Sequence, residues 1–268
     1  MTPSAIAAAA DLLADLRQRR NGRRPPIEEI PASIRPATLE DGYAVQEAAR
    51  PLIAARGRGA PVGWKIGSTS PPMQAALGIP FPCAGTLYAG TVHQGHATVD
   101  RADYSKPGLE CEIAVRLAAD LPAAPGGHTR ASVLPAVAAV MTSVEIVEWR
   151  FADFKRAGVP SLVADDFFSC GCVLGPEYPP ETLSGDADIP GRFTLDGVAA
   201  SSGSARDILG HPLNSLAWLA DHRAALGTPL RAGEIITLGS IVAALRLERA
   251  GLVEASFDGL GAVTVAVT

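Results

Sequence analysis

Short segments of alternating apolar and polar residues dominate the chain from residue 62 onward. Strand side chains two residues apart share a face, so alternation over about four to eight residues predicts a half-buried strand. Gly and Pro residues separate the segments, as expected of turns. The segments are VGWKIG (62–67), GTLYAG (85–90), ECEIAVRL (110–117), TSVEIVEW (142–149), RFTLDG (192–197), GEIITLGS (233–240) and GLVEASFDGLGAVTVAV (251–267).

Helical periodicity instead marks the first 60 residues. Apolar residues at helical spacing predict one amphipathic helix over residues 3–20. A second helix is predicted to begin after Thr38, with Asp41 completing a capping box, and to be bent or interrupted at Pro51. Further helices are expected at about residues 129–139 and from Pro212 to a stop at Gly227.

This order of elements predicts an α+β fold. A small N-terminal helical region covers residues 1–60, and a mixed, β-rich domain covers residues 61–268. With 47% hydrophobic and 19% charged residues the chain is globular, and its net charge of -5 argues against a nucleic-acid partner. The one basic cluster, from Arg17 to Arg24, is interpreted as a solvated helix end and turn.

Composition also bears on the compartment. No basic segment precedes the alanine-rich N-terminus, and no stretch reaches the roughly 18 apolar residues of a membrane helix. We therefore expect a cytoplasmic protein without a membrane partner. The four cysteines are then expected to be free thiols: Cys83, Cys111, Cys170 and Cys172.

Two carboxylates in ECEIAVRL raise a question of chemistry. Glu110 and Glu112 share one face of a strand, roughly 7 Å apart, and their mutual repulsion requires a cation or strong donors nearby. Glu145, in the next core-like strand, points a third carboxylate from a similar position. Three such groups suit Mg²⁺ or Mn²⁺, which prefer oxygen ligands. The alternative is that each is an ordinary solvated residue at a strand edge.

Several motifs in register resemble the 2-keto-4-pentenoate hydratase and 4-oxalocrotonate decarboxylase family of the fumarylacetoacetate hydrolase superfamily. They extend in order from about residue 38 to the C-terminus and comprise GWKIG (63–67), ECEIAVRL, SVEIVEWRFADF (143–154), VADD (163–166) and LGHPLNSLAWLA (209–220). The resemblance implies the β-rich catalytic core of that superfamily and a homo-oligomer, with no organic cofactor.

The resemblance also assigns roles to residues. Glu110, Glu112 and Glu145 match the family's ligands for one divalent ion, which the 2-oxo acid substrate chelates. Lys65 matches its active-site lysine, and burial near cationic partners is expected to lower the Lys65 pKa. Asp165 matches the acid of a family Ala-Asp-Asn segment, with direct chemistry and a supporting or lid role both open.

Two residues, Cys83 and Lys155, bear on the type of reaction. Cys83 stands where family hydratases tend to have Asp and decarboxylases an apolar residue, and a thiol is a poor substitute for a carboxylate that directs water. Lys155 offers charge for a second substrate carboxylate, which would suit a decarboxylase. A hydratase of aromatic catabolism is preferred by a small margin, with a 4-oxalocrotonate-type decarboxylase second. A catalytically reduced subunit that associates with an active relative is the third possibility.

Two other residues carry structural expectations. Arg150 and Asp153 are expected to pair with each other on a turn, and His211 is expected to cap a helix rather than to act in catalysis.

Overall fold

The computed structural model describes residues 1–18, 25–186 and 188–268. Its helices are α1 (Pro3–Leu16), α2 (Leu39–Ile53), α3 (Pro71–Leu77), α4 (Arg130–Val133), α5 (Phe154–Ala157), α6 (Val159–Ala164) and α7 (Pro212–Ala225). Its strands are β1 (Pro61–Gly67), β2 (Cys83–Tyr88), β3 (Val92–Gln94), β4 (His96–Val99), β5 (Pro107–Leu117), β6 (Val137–Glu148), β7 (Ser169–Leu174), β8 (Pro190–Leu195), β9 (Val198–Ser204), β10 (Ile235–Ser240), β11 (Leu245–Arg246), β12 (Gly251–Phe257) and β13 (Gly261–Val267).

Two mixed sheets form the β-rich core within the described residues. The larger sheet has the order β2-β1-β10-β5-β6-β7-β3, with β11 paired to β5, and the smaller has the order β4-β13-β12-β8-β9. The sheets pack together, since β12 and β13 contact β6 and β8 contacts β5. The expected α+β class, with a mixed β-rich core, is therefore confirmed.

The helices cover this core from the outside. α1 packs on α2, α2 on α6, and α7 on β10. Buried residues of α1 and α2, among them Leu13 and Val45, belong to the same apolar cluster as Ile113 of β5. The division of the chain at residue 60 stays a prediction. In the described part of the chain, no helix combines the length and the hydrophobicity needed to cross a bilayer.

Local signals in the sequence explain where several elements begin and end. Thr38 caps α2 and forms the expected capping box with Asp41. Pro51 lies inside α2, which continues to Ile53, so an interruption at Pro51 is wrong, while the alternative of a bend there stays a prediction. Helix α1 ends at Leu16, earlier than expected.

The helix predicted at residues 129–139 is only half present. α4 ends at Val133, a 3₁₀ turn follows, and the chain enters strand β6 at Val137. Pro135 in that turn cannot donate a helical hydrogen bond, and Val137 and Val140 favour an extended backbone. β6 is thus longer than the alternating segment that predicted it.

Candidate metal centre and substrate cavity

The three predicted metal ligands meet where β5 and β6 pair. These strands are antiparallel, and their register places Glu110 opposite Glu145 and Glu112 opposite Ser143. Because Glu110 and Glu112 share a strand face, all three carboxyl groups converge on one side of the sheet. One carboxylate oxygen from each lies within 4.8 Å of the other two.

The cluster of Glu110, Glu112 and Glu145, which we call the acidic centre, is largely buried. Glu112 and Glu145 are 0% exposed. Burial, reinforced for Glu112 by repulsion from the other two acids, raises the pKa of Glu112 well above its usual range. Burial likewise raises the pKa of Glu110, and it raises that of Glu145 to about 7 despite the nearby Lys65 charge. The fold therefore disfavours ionisation of these three acids unless further positive charge binds beside them.

Lys65 of β1 supplies the positive charge at this centre. Its Nζ lies 3.2 Å from Glu145 Oε1, and the side chain is 2% exposed. Burial alone would lower the Lys65 pKa, but the charges of Glu145, Glu110 and Glu112 outweigh it and raise the pKa above its usual value. The direction is opposite to the lowering expected from the sequence, because the neighbours of Lys65 are acids rather than cations.

The donor set suits a hard divalent cation. Glu112 Oε2 accepts a hydrogen bond from the backbone N–H of Gly239, at a distance of 3.1 Å. Glu112 Oε1 and Glu145 Oε2 are buried and accept no hydrogen bond from any described residue. Buried carboxylate oxygens without partners are costly unless a cation binds them. Three oxygen donors from rigid strands match the coordination preferences of Mg²⁺ and Mn²⁺.

Two cavities open beside the acidic centre. The larger has a volume of about 460 Å³ and is lined by Glu110, by serine and threonine hydroxyls, and by apolar side chains that include Met73 and Val242. Its charged lining residues, within the described chain, are Glu110 and Asp207, without any lysine or arginine. The smaller, of about 40 Å³, is lined by Lys65, Glu110 and Ser68 and by aromatic rings.

A strained turn forms the aromatic wall of the smaller cavity. Asp166, Phe167 and Phe168 have φ values of 51°, 47° and 71°, a left-handed conformation that non-glycine residues rarely adopt. The ring of Phe167 lies 5.1 Å from Lys65 Nζ. The turn fits because two strand residues lack side chains: a Cβ at Gly67 would lie 2.5 Å from the Phe167 ring, and one at Gly85 would lie 2.2 Å from Asp166 O.

A second buried charged cluster holds this turn from behind. We call Arg17, Arg150, Asp165, Asp166 and Glu148 the arginine clamp. Arg17 contacts Asp165 at 3.2 Å and Asp166 at 2.7 Å, and Arg150 contacts Asp165 at 2.6 Å. Both guanidinium groups also donate to the carbonyl oxygens of Asp165 and Ser169.

The clamp overturns two expectations from the sequence and leaves a third untested. Arg17 is buried, so a solvated helix end is wrong at that residue, while positions 19–24 of the basic cluster lie outside the described residues. Arg150 pairs with Asp165 rather than with Asp153, which caps α5. Asp165 lies in the clamp, apart from the three clustered glutamates, so its proposed catalytic role stays a prediction.

Other expected residues fall into structural positions. His211 Nδ1 accepts the Leu213 N–H at the start of α7, which is the expected cap. Lys155 is exposed and does not line the described part of either cavity, although its neighbour Phe154 lines both. Burial raises the Cys83 pKa to about 12, partly offset by the charge of Lys65, so Cys83 is a neutral thiol.

All four cysteines are free, as expected, and the structure buries all four. Sequence patterns did not identify Ser68, Phe167 or Arg17 as parts of the site. Ser68 directly follows strand β1 and begins the polar run Ser-Thr-Ser (68–70). That run is the sequence feature that could have indicated further site residues near Lys65.

Comparison with known proteins agrees with this architecture. Residues 75–268 match the family model described as fumarylacetoacetate (FAA) hydrolase C-terminal. A 2-keto-4-pentenoate hydratase from Paraburkholderia phymatum is 37% identical over 230 residues, which cover 85% of this chain and 84% of that protein. The chain belongs to the 2-keto-4-pentenoate hydratase and 4-oxalocrotonate decarboxylase family.

Both branches of the hydratase and decarboxylase family are represented among its relatives. A 4-oxalocrotonate decarboxylase from a Pseudomonas species is 34% identical over 86% of this chain and 90% of that protein. The solved 4-oxalocrotonate decarboxylase from Pseudomonas putida G7, complexed with magnesium and adipate, superposes with a TM-score of 0.90. It has 28% identity and covers 100% of this chain and 99% of that one.

Proposed function

We propose that this protein is a divalent-metal-dependent lyase of the 2-keto-4-pentenoate hydratase type, which adds water to an unsaturated 2-oxo acid. The observation that carries the proposal is the set of three converging carboxylates, with buried oxygens lacking partners, beside a cavity that has room for a small organic acid. The family's hydratases at 37% identity support the same reaction.

Glu110, Glu112 and Glu145 are the proposed ligands of the ion, with Mg²⁺ or Mn²⁺ as the physiological choice. A bound divalent cation acts as a Lewis acid on the 2-oxo group of the substrate. Carboxylate ligands from adjacent paired strands hold this centre rigidly, because the β5–β6 register fixes Glu110 against Glu145. Magnesium in a solved decarboxylase of the family supports the choice of ion.

Lys65 is the proposed donor to the substrate. Its raised pKa keeps Nζ positively charged, so it is suited to hold the substrate's carboxylate or the charge that develops on the substrate's oxygen during reaction. The Phe167 ring covers one side of Nζ. Of the two roles open to Asp165, we propose the supporting one. Its ion pairs with Arg17 and Arg150 hold the turn that carries Phe167.

The charge of the larger cavity favours hydratase over decarboxylase. A 4-oxalocrotonate-type substrate has a second carboxylate, which needs a cationic partner when it is bound in a cavity. The described lining of the cavity offers Glu110, Asp207, hydroxyl groups and apolar side chains but no cation, and Lys155 lies elsewhere on the surface. An uncharged tail therefore fits this cavity better than a carboxylate does.

Two alternatives have specific support. A 4-oxalocrotonate-type decarboxylase is supported by the structural likeness at a TM-score of 0.90 and by the neutral Cys83. A catalytically reduced subunit that associates with an active relative is supported by Cys83 alone. A cytoplasmic homo-oligomer is the proposed form of the protein, based on the four free cysteines and on the sequence resemblance.

An assay of the purified protein with two substrates distinguishes these functions. With Mg²⁺ or Mn²⁺, we expect 2-hydroxypenta-2,4-dienoate to gain water and form a 4-hydroxy-2-oxo acid, and 4-oxalocrotonate to release little CO₂. Faster release of CO₂ than addition of water would assign the decarboxylase. Inertness towards both substrates, with Mg²⁺ still bound in calorimetry, would assign the partner subunit.

A further inference from the structure

Ser68 combines three features that are unusual for a serine. It directly follows β1, and its φ of 58° places it in the left-handed region. It is 5% exposed, and its Oγ has no hydrogen-bond partner among the described residues. Backbone strain persists mainly at functional sites, and a buried hydroxyl without a hydrogen-bond partner destabilises the fold. These features together indicate that Ser68 Oγ binds something other than the protein.

The location of Ser68 indicates what it binds. Ser68 lines both cavities, which also share Gly67, Met73, Glu110 and Phe154, so it lies at their junction. The smaller cavity holds about 40 Å³. A water molecule needs roughly 10–15 Å³ and two to four polar partners. Lys65, Glu110 and Ser68 supply such partners there, and the remaining wall is largely aromatic.

Other buried hydroxyls without partners do not share this position. They belong to Thr86, Ser143, Ser215 and Thr237. None of these four lines the described part of either cavity. Ser68 is thus distinguished by its place at the site and not only by its missing partner.

We propose that Ser68 is a catalytic residue whose Oγ binds and orients the water molecule that adds to the substrate. The tail of the substrate occupies the larger cavity, its carboxylate end reaches Lys65 at the junction, and the water occupies the smaller cavity beside Ser68. In the addition, the water oxygen bonds to C4 of the 2-oxo-3-enoate, one O–H bond of the water breaks, and a proton is added to C3. The C3=C4 double bond is consumed, so no other reactant is required. This inference rests on the proposed hydratase function.

Ser68 also explains how hydration can proceed with Cys83 in place of an acid. The neutral thiol of Cys83 is 0% exposed and is a weak hydrogen-bond partner for water. A hydroxyl both donates and accepts hydrogen bonds, so it can fix the orientation of a water molecule without being ionised. The hydroxyl of Ser68 can therefore direct the water in place of the acid that is absent at position 83.

Ser68→Ala and Ser68→Gly test this role through the two steps of the reaction. The enzyme first converts the 2-hydroxydienoate to the 2-oxo-3-enoate, by loss of the enol proton and gain of a proton at C5, and water then adds. We expect both variants to retain the first step within about 3-fold and to lose at least about 10-fold in the second, since only the second uses the oriented water. The 2-oxo-3-enoate should accumulate.

The matched control is Ser215→Ala, which removes a buried hydroxyl without a partner away from the cavities and should leave both steps unchanged. Calorimetry should show the Mg²⁺ affinity of the Ser68 variants within about 2-fold of the wild type, because Ser68 is not a proposed ligand.

Three outcomes would overturn the inference: an unchanged rate of water addition in both variants, an equal loss in both steps, or a normal rate in Ser68→Gly alone. A normal rate in Ser68→Gly alone would mean that the loss in Ser68→Ala comes from backbone strain and not from the missing hydroxyl, since glycine removes the strain and the hydroxyl together. Ser68→Gly also decides the question if Ser68→Ala does not fold. A wild-type protein that adds no water would instead refute the proposed function.

Discussion

Two glutamates three residues apart on β6 have opposite properties. Glu145 and Glu148 are both largely buried, with side chains 0% and 12% exposed. Burial raises the pKa of Glu145 to about 7, in spite of Lys65. Burial would raise the pKa of Glu148 too, but Arg150 and hydrogen bonds from Ser105 and Cys170 outweigh it and lower the pKa. The partners of each carboxylate, rather than its burial, make the difference.

The same contrast separates the two charged clusters of the protein. In the arginine clamp, the guanidinium groups and carboxylates satisfy one another through paired hydrogen bonds. In the acidic centre, three carboxylates share one ammonium, and oxygens of Glu112 and Glu145 lack partners among the described residues. A satisfied cluster holds the fold together, whereas an unsatisfied one is held ready for a ligand.

The largest expected effect comes from a matched pair of variants, one in the acidic centre and one in the arginine clamp. Glu112→Gln should reduce activity at least about 1,000-fold, because it removes a charged ligand of the ion. The ion-free protein should become equally or more stable at about pH 8, since the ionised Glu112 is disfavoured in the fold. Activity assays, Mg²⁺ calorimetry and thermal unfolding measure these changes.

Glu148→Gln is the control, and we expect it to lower stability without removing the metal site. It loses charge-assisted hydrogen bonds in the clamp, so we expect a loss of about 1–3 kcal/mol in the free energy of unfolding, with Mg²⁺ binding retained. If Glu112→Gln instead lowers stability as much as Glu148→Gln does, the acidic centre is structural and the contrast between the clusters is false.

The next effect concerns stability alone. Arg150→Met should lower the free energy of unfolding by about 3–5 kcal/mol, because Asp165 and Glu148 would stay buried after each has lost a cationic partner. Denaturant unfolding measures this loss, and calorimetry should find the Mg²⁺ affinity of the folded variant little changed.

Arg56→Met provides the comparison, since Arg56 forms an ion pair with the more exposed Asp11. An exposed pair contributes only about 0–1 kcal/mol. Equal losses in Arg56→Met and Arg150→Met would show that the clamp is no more important than a surface pair.

The sequence could predict the acidic centre better than the clamp for a physical reason. Strand alternation places Glu110 and Glu112 on one face without any knowledge of the tertiary structure. Arg17 and Asp165 are 148 residues apart, and no local pattern indicates their contact. The left-handed backbone of Ser68 and Phe167 is equally invisible, because it is imposed by tertiary contacts rather than by glycine.

The strands, too, could be predicted only where the local sequence alternates between apolar and polar residues. The alternating segments became β1, β2, β5, β6, β8, β10, β12 and β13. The segment Ser-Cys-Gly-Cys-Val-Leu was not predicted to be a strand, yet it forms β7 and is buried on both faces. A strand covered on both sides has no polar face, so it gives no alternation.

The smallest expected effect is a dependence of stability on pH that Mg²⁺ reverses. The pKa of Glu145 is about 7 in the folded protein, above its ordinary value of 4.5. A carboxyl group with a raised folded-state pKa stabilises the protein below its unfolded-state pKa, and this stability is lost as the pH rises through the folded value. The ion-free protein should therefore lose stability between about pH 4.5 and pH 7 as these acids ionise.

Binding of a divalent ion requires the ionised carboxylates, so the stabilisation by Mg²⁺ should grow over the same interval. We expect the increase in free energy of unfolding on addition of Mg²⁺ to be larger at about pH 8 than at about pH 6, by more than about 1 kcal/mol. Thermal unfolding with and without Mg²⁺ at both values measures it, and Glu112→Gln should show little increase at either. A pH-independent increase would mean that Mg²⁺ binds outside the acidic centre, because binding at the acidic centre requires its carboxyl groups to be ionised.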